Sequence, residues 1–87
     1  MNTEIKDYIL SVLVDEFNLK IDTENVNRST SLGDGGLNLE SLSFVDLAFR
    51  LEDRYNIELP EDDMELIAGF DMGGLVDYLE KKVQEAS

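Results

Sequence analysis

The chain has 87 residues, with twenty acidic and seven basic side chains, a net charge of -13, and neither histidine nor cysteine. At this length a single domain spanning 1–87 is expected, burying only about 60–65% of its unfolded surface. The charge disfavours nucleic-acid phosphates and anionic membranes as partners and favours basic proteins. The lack of cysteine excludes disulfides and suits a reducing, cytoplasmic setting.

The N-terminal MNTEIKDYILSV has no basic region followed by a long apolar run, so no signal peptide is expected. No apolar run approaches the roughly 20 residues that span a bilayer. Residues 3–17 place Ile5, Tyr8, Ile9, Val12, Leu13 and Phe17 at helical spacing, with Thr3 as a candidate cap and Asp15 and Glu16 opposite. Residues 18–40 keep no period, yet Ile21, Val26, Leu32, Leu37 and Leu39 recur among Asn, Asp, Ser, Thr and Gly. A loop this long is commonly functional, and its apolar residues predict that it is pinned over the core.

Residues 41–55 form the second long helix, with Asn56 as its stop. NIELP then runs extended, Pro60 fits the start of a short acidic helix over 61–68, and Gly69 ends it. LVDYLEKKV forms the last helix, with Leu75, Val76, Leu79 and Val83 on one face and Lys81 and Lys82 expected near its negative end. The fold class is therefore all-α: a small four-helix bundle with a long first loop and a short third helix.

The second helix carries two apolar stripes. Phe44, Leu47, Ala48, Leu51 and Tyr55 follow core spacing, while Leu42, Val45 and Phe49 form a second stripe roughly 130° around the helix. Two readings stand: the long loop covers the second stripe, or the stripe is an exposed docking surface with Glu40, Asp46 and Asp53 as its charged rim.

Ser41 heads this helix without the means to act as a nucleophile. No histidine exists to activate it, the nearest lysine in sequence is Lys20 in the loop, and the G-x-S-x-G turn is absent. No catalytic residue is expected. No metal site is expected either, because Asp34-Gly-Gly lacks the alternating oxygen ligands of a calcium loop and Glu61-Asp62-Asp63 suits an acidic first helical turn. The simplest role for Ser41 is an N-cap, worth about 1 kcal/mol. An exposed cap hydroxyl is also open to modification, and a helix start favours an attached phosphate.

Glu40-Ser41-Leu42 begins an acidic helix that continues through Val45-Asp46-Leu47 and Leu51-Glu52-Asp53, followed by Ile57-Glu58-Leu59-Pro60, a short acidic helix, and Leu75-Val76-Asp77-Tyr78-Leu79. This ordered set, covering essentially the whole chain, resembles the acyl and peptidyl carrier proteins, whose hallmark is D-S-L at the start of the second helix. The resemblance implies that a phosphopantetheinyl transferase moves 4′-phosphopantetheine from coenzyme A onto Ser41. It implies a non-catalytic, monomeric carrier of acyl or aminoacyl thioesters. Its partners would be acyl-loading and acyl-transferring enzymes with basic docking surfaces that meet Glu40, Leu42, Val45, Asp46, Phe49 and Asp53. The missing catalytic residues are then accounted for, since the cofactor brings the chemistry.

The chain departs from the family pattern at Glu40, which replaces Asp before the serine, and at Ser43, where many carriers have an acid. Arg50 and Arg54 interrupt the acidic helix. The stretch Leu32-Gly33-Asp34-Gly35-Gly36-Leu37-Asn38-Leu39 is longer than the usual approach, and Phe70-Asp71-Met72-Gly73-Gly74 also looks extended. The longer glycine-bearing approach suggests a specialised polyketide or nonribosomal pathway rather than housekeeping fatty-acid synthesis. An alternative from a different class is an acidic interaction module with no covalent cofactor.

Overall fold

The computed structural model describes residues 3–33 and 35–86, with Ser41 described by its backbone alone. Among the described residues, four α-helices carry the fold: α1 (Thr3–Ser11), α2 (Ser41–Tyr55), α3 (Met64–Ala68) and α4 (Met72–Ala86). Their apolar faces meet in one core, with Ile9 and Leu13 from the first helical segment, Leu47 and Leu51 from α2, Ile67 from α3, and Leu75, Val76 and Leu79 from α4. Each such side chain, removed from water, contributes about 1.5–3 kcal/mol. The radius of gyration is 11.9 Å, matching the ~12 Å of a compact chain this long.

The expected first helix is split. After Ser11 the chain widens into a π-helical stretch, Val12–Glu16, in which the Phe17 N–H reaches back five residues to the Val12 carbonyl at 3.2 Å. Leu19 N–H then bonds Leu13 O at 3.0 Å, across Asn18 in the left-handed conformation (φ 56°). Asparagine tolerates that conformation better than most residues, so the helix stops there. Thr3 is itself helical, so it does not cap the helix from outside.

The long loop is pinned as expected. Val26, Leu32 and Leu39 are buried in the core, and Leu19, Ile21 and Leu37 pack against it. One 3₁₀ turn, Thr23–Asn25, interrupts it. The loop also closes the start of α4. The N–H groups of Met72 and Gly73 donate to the carbonyls of Thr30 (2.8 Å) and Arg28 (2.9 Å), and the Gly74 N–H donates to the Asp71 carboxylate (2.7 Å). Met72 and Gly73 are buried, so these first-turn donors would be costly without partners. Asp71 therefore acts as a cap, and α4 begins three residues earlier than the apolar spacing indicates. The Arg28 guanidinium crosses to Asp77, closing the same seam, and holds that carboxyl below its usual range, chiefly through the hydrogen bond.

Other ends differ in detail. Asn56 stops α2 in the left-handed conformation (φ 52°), and the Ile57 N–H returns to the Glu52 carbonyl at 3.2 Å, as the stop signal predicts. Residues 61–63 form a 3₁₀ turn before α3, with Pro60 as its cap residue, so the third helix is shorter than expected. Gly69 does end α3, but in a right-handed conformation. Lys81 and Lys82 are not in the last turn of α4, because the helix runs on to Ala86 and its final turn contains no base. No helix among the described residues is long and apolar enough to cross a membrane.

Candidate functional site

The end of the long loop is held by its own backbone. Leu37 N–H donates to Ser31 O (2.8 Å), Asn38 N–H to Gly33 O (2.9 Å) and Leu39 N–H to Leu32 O (3.0 Å). Gly36 passes so close to Ser31 that a Cβ would stand 2.0 Å from the Ser31 carbonyl oxygen. Asn38 takes a left-handed turn (φ 55°), which drives Leu39 into the core and leaves Glu40 outside. Leu39 thus anchors the residue pair that opens α2, as its apolar character suggests.

Glu40, not Ser41, is the N-cap residue. Glu40 is extended (φ -85°, ψ 163°), and its carbonyl accepts the first helical bond from Phe44 N–H at 3.0 Å, making Ser41 the first helical residue. A glutamate side chain is too long to fold back as a good cap, and Glu40 makes no side-chain bond to the helix. The N–H groups of residues 41–43 stand ahead of the first i→i−4 bond. The start of α4 is roofed by the loop, whereas that of α2 emerges beside an exposed residue. The expected exposure of the Ser41 hydroxyl, like Asp34, lies outside what the structure describes.

The two stripes of α2 separate as the spacing predicts. Phe44, Leu47, Ala48 and Leu51 are buried, while Leu42 is 81% exposed, Val45 42% and Phe49 65%. The loop therefore leaves the second stripe uncovered. Asp46 and Asp53 lie exposed along one edge. On the other edge, an open groove of about 350 Å³ runs between α2 and the segment leading into α3, lined by Val45, Ala48, Phe49, Glu52, Leu59, Glu61 and Met64. Its far wall is missing from the sequence-based reading because Leu59 and Met64 are distant in sequence and share no period with α2.

Two side-chain bonds hold that wall. The Glu52 carboxylate accepts the Leu59 N–H at 3.0 Å, and the Tyr78 hydroxyl donates to Asp63 at 2.6 Å. Burial first, and the bond to Asp63 second, push the Tyr78 hydroxyl well above its ordinary value. Glu52 is recognisable in the sequence only as one more acid of an acidic helix. Arg50 and Arg54 lie further around α2 than the stripe and turn toward the first helical segment. Arg50 bonds Asp46 (3.0 Å), approaches Glu16 (3.6 Å) and stands over the Phe17 ring (5.7 Å), and Arg54 stands over Tyr8 (5.0 Å). Among the described residues, no three carboxylates gather into a metal-sized cluster.

Residues 7–68 match the family model described as "Phosphopantetheine attachment site". The chain belongs to the acyl carrier protein family. It is 34% identical to an acyl carrier protein of Wolinella succinogenes, over 87% of this chain and 93% of that one. It is 27% identical to one from Porphyromonas gingivalis (94% and 99% covered) and 28% identical to one from Chlamydia caviae (90% and 95%). Its cofactor is covalently attached 4′-phosphopantetheine, and the chain is a carrier rather than a catalyst. Family membership implies a phosphopantetheinyl transferase and acyl-handling enzymes as its partners. The residues present in this carrier suit such a group. At the head of α2 the exposed Glu40 makes no side-chain cap bond, so the first-turn N–H groups suit a phosphodiester, and an uncovered apolar stripe and groove run onward along the helix.

Proposed function

We propose that Ser41 is the attachment point of 4′-phosphopantetheine and that the chain, as a single monomeric domain in the cytoplasm, presents acyl or aminoacyl groups to successive enzymes. The observation that carries this reading is the contrast between the two helix starts. The loop seals that of α4 with backbone and carboxylate acceptors, while α2 starts at Ser41 directly after the exposed Glu40. Once attached, the cofactor supplies a terminal thiol that carries cargo as a thioester.

The chain's own part is to hold the attachment residue rigidly and to offer a docking face. The bonds from 37, 38 and 39 back to 31, 33 and 32 fix the approach. Glu40, Leu42, Val45, Asp46, Phe49 and Asp53 form the face we propose for partners, apolar at its centre and acidic at its rim. A small face of this kind suits brief visits to several enzymes, and its charge favours partners with basic docking surfaces.

Incubation with coenzyme A and a broad-specificity phosphopantetheinyl transferase should add one phosphopantetheine by intact mass. Ser41→Ala should abolish the addition, and Ser43→Ala should not. Absence of any addition across several transferases, or retention of it in Ser41→Ala, would overturn the assignment. The long glycine-bearing approach at 32–39 favours a specialised polyketide or nonribosomal pathway. The mass of the species loaded on the protein in its native cell tests that: a common straight-chain fatty acyl group would count against it.

A further inference from the structure

We infer that Arg50 regulates the proposed docking face by occupying Asp46, so that a partner's cation must displace an internal one. The inference rests on that face being the one partners use. Three contacts locate Arg50. Its Nε bonds the Asp46 Oδ1 at 3.0 Å, its Nη1 lies 3.6 Å from the Glu16 Oε2, and its guanidinium stands 5.7 Å from the centre of the Phe17 ring. Glu16 and Phe17 belong to a different segment from α2, at the π-helical end of the first helix. Arg50 is thereby braced from outside its own helix, and the side-chain entropy that usually weakens an exposed i,i+4 pair is already partly spent.

The acids of the face are not equivalent as a result. The side chains of Glu40 and Asp53 are exposed and hold no ion pair or hydrogen bond among the described residues, whereas that of Asp46 is paired. An incoming basic surface meets full negative charge at the two ends of the stripe and a neutralised carboxylate between them. Partners whose cations sit at the ends are favoured over those that place one at the centre. This is specificity by occupation of a contact as well as by attraction.

A double-mutant cycle on the full chain tests the inference, read as the initial rate of phosphopantetheine transfer at low carrier concentration by a transferase with a basic docking surface. Wild type, Asp46→Asn, Arg50→Gln and the double variant are compared at low and high salt. With Arg50 present, Asp46→Asn should lower the rate less than it does in the Arg50→Gln background, because that carboxylate is already engaged. Arg50→Gln should raise the rate about two- to threefold at low salt, with the gain shrinking at high salt. In the Arg50→Gln background, Asp46→Asn should remove most of that gain. Glu16→Gln tests the bracing: by loosening Arg50 it should give a smaller part of the Arg50→Gln gain at low salt. Additive effects of the two substitutions, or no gain in Arg50→Gln, would overturn the inference. A wild-type chain that accepts no phosphopantetheine would instead refute the attachment reading on which it rests.

Discussion

Replacing Gly36 with alanine would place a Cβ 2.0 Å from the Ser31 carbonyl oxygen and 2.7 Å and 2.8 Å from the Ser31 carbon and nitrogen. The obstacle is backbone, so no side-chain rotation relieves it. The two chain segments must separate, and the Leu37 N–H to Ser31 O bond at 2.8 Å goes with them. Overpacking costs about 1–3 kcal/mol and a lost backbone bond about 1 kcal/mol, which points to a total of roughly 2–4 kcal/mol. A domain of this size holds only about 4–13 kcal/mol. Tm should therefore fall by about 8–30 °C, since each kcal/mol moves a small domain by about 4–8 °C. Thermal and urea unfolding followed by circular dichroism would measure the loss. Gly33→Ala, where the added Cβ meets nothing closer than Ala68 O at 3.8 Å, should stay within about 0.5 kcal/mol of the wild type. A Gly36→Ala protein as stable as Gly33→Ala would refute the close crossing and, with it, the rigid approach to α2.

The two stripes of α2 should respond oppositely. Leu47→Ala, at a buried position, should cost about 2–5 kcal/mol in urea unfolding. Phe49→Ala, 65% exposed, should cost under about 0.5 kcal/mol while slowing phosphopantetheine transfer severalfold. Tyr78 links α4 to Asp63 at 2.6 Å, and Tyr78→Phe should lose about 1 kcal/mol. Because its hydroxyl is raised above the ordinary 10.0 in the folded state, its contribution is complete below pH 10 and lost as pH rises toward the folded value. Alkaline unfolding monitored by phenolate absorbance should therefore be shallower in Tyr78→Phe. Asp77 is lowered by Arg28, so its contribution holds above the ordinary carboxylate value of 3.8 and disappears as pH falls below it. Asp77→Asn should flatten the acid limb of the stability curve.

Local pattern determined much of this protein. Apolar spacing places the long helices approximately and divides α2 into two stripes, because a helix repeats every 3.6 residues whatever it packs against; that the second stripe stays uncovered only the packed loop decides. Asn56 likewise marks the end of α2 through its own backbone preference. The ordered motifs around Ser41 point to the carrier family, since the serine had no chemistry of its own to offer.

The tertiary structure alone decided what depends on neighbours distant in sequence. The cap of α2 falls to Glu40 because Leu39 is drawn into the core and Asn38 turns the chain. The first turn of α4 extends back to Met72 because Thr30, Arg28 and Asp71 satisfy its donors. The groove beside Phe49 exists because Glu52 and Tyr78 hold a segment that no periodicity links to α2. Arg50 looks in sequence like a break in an acidic face, but in space it is an occupant of Asp46, braced by Glu16 thirty-odd positions away. Periodicity describes how a segment meets a core; hydrogen bonds and ion pairs between segments are set only when the core has brought them together.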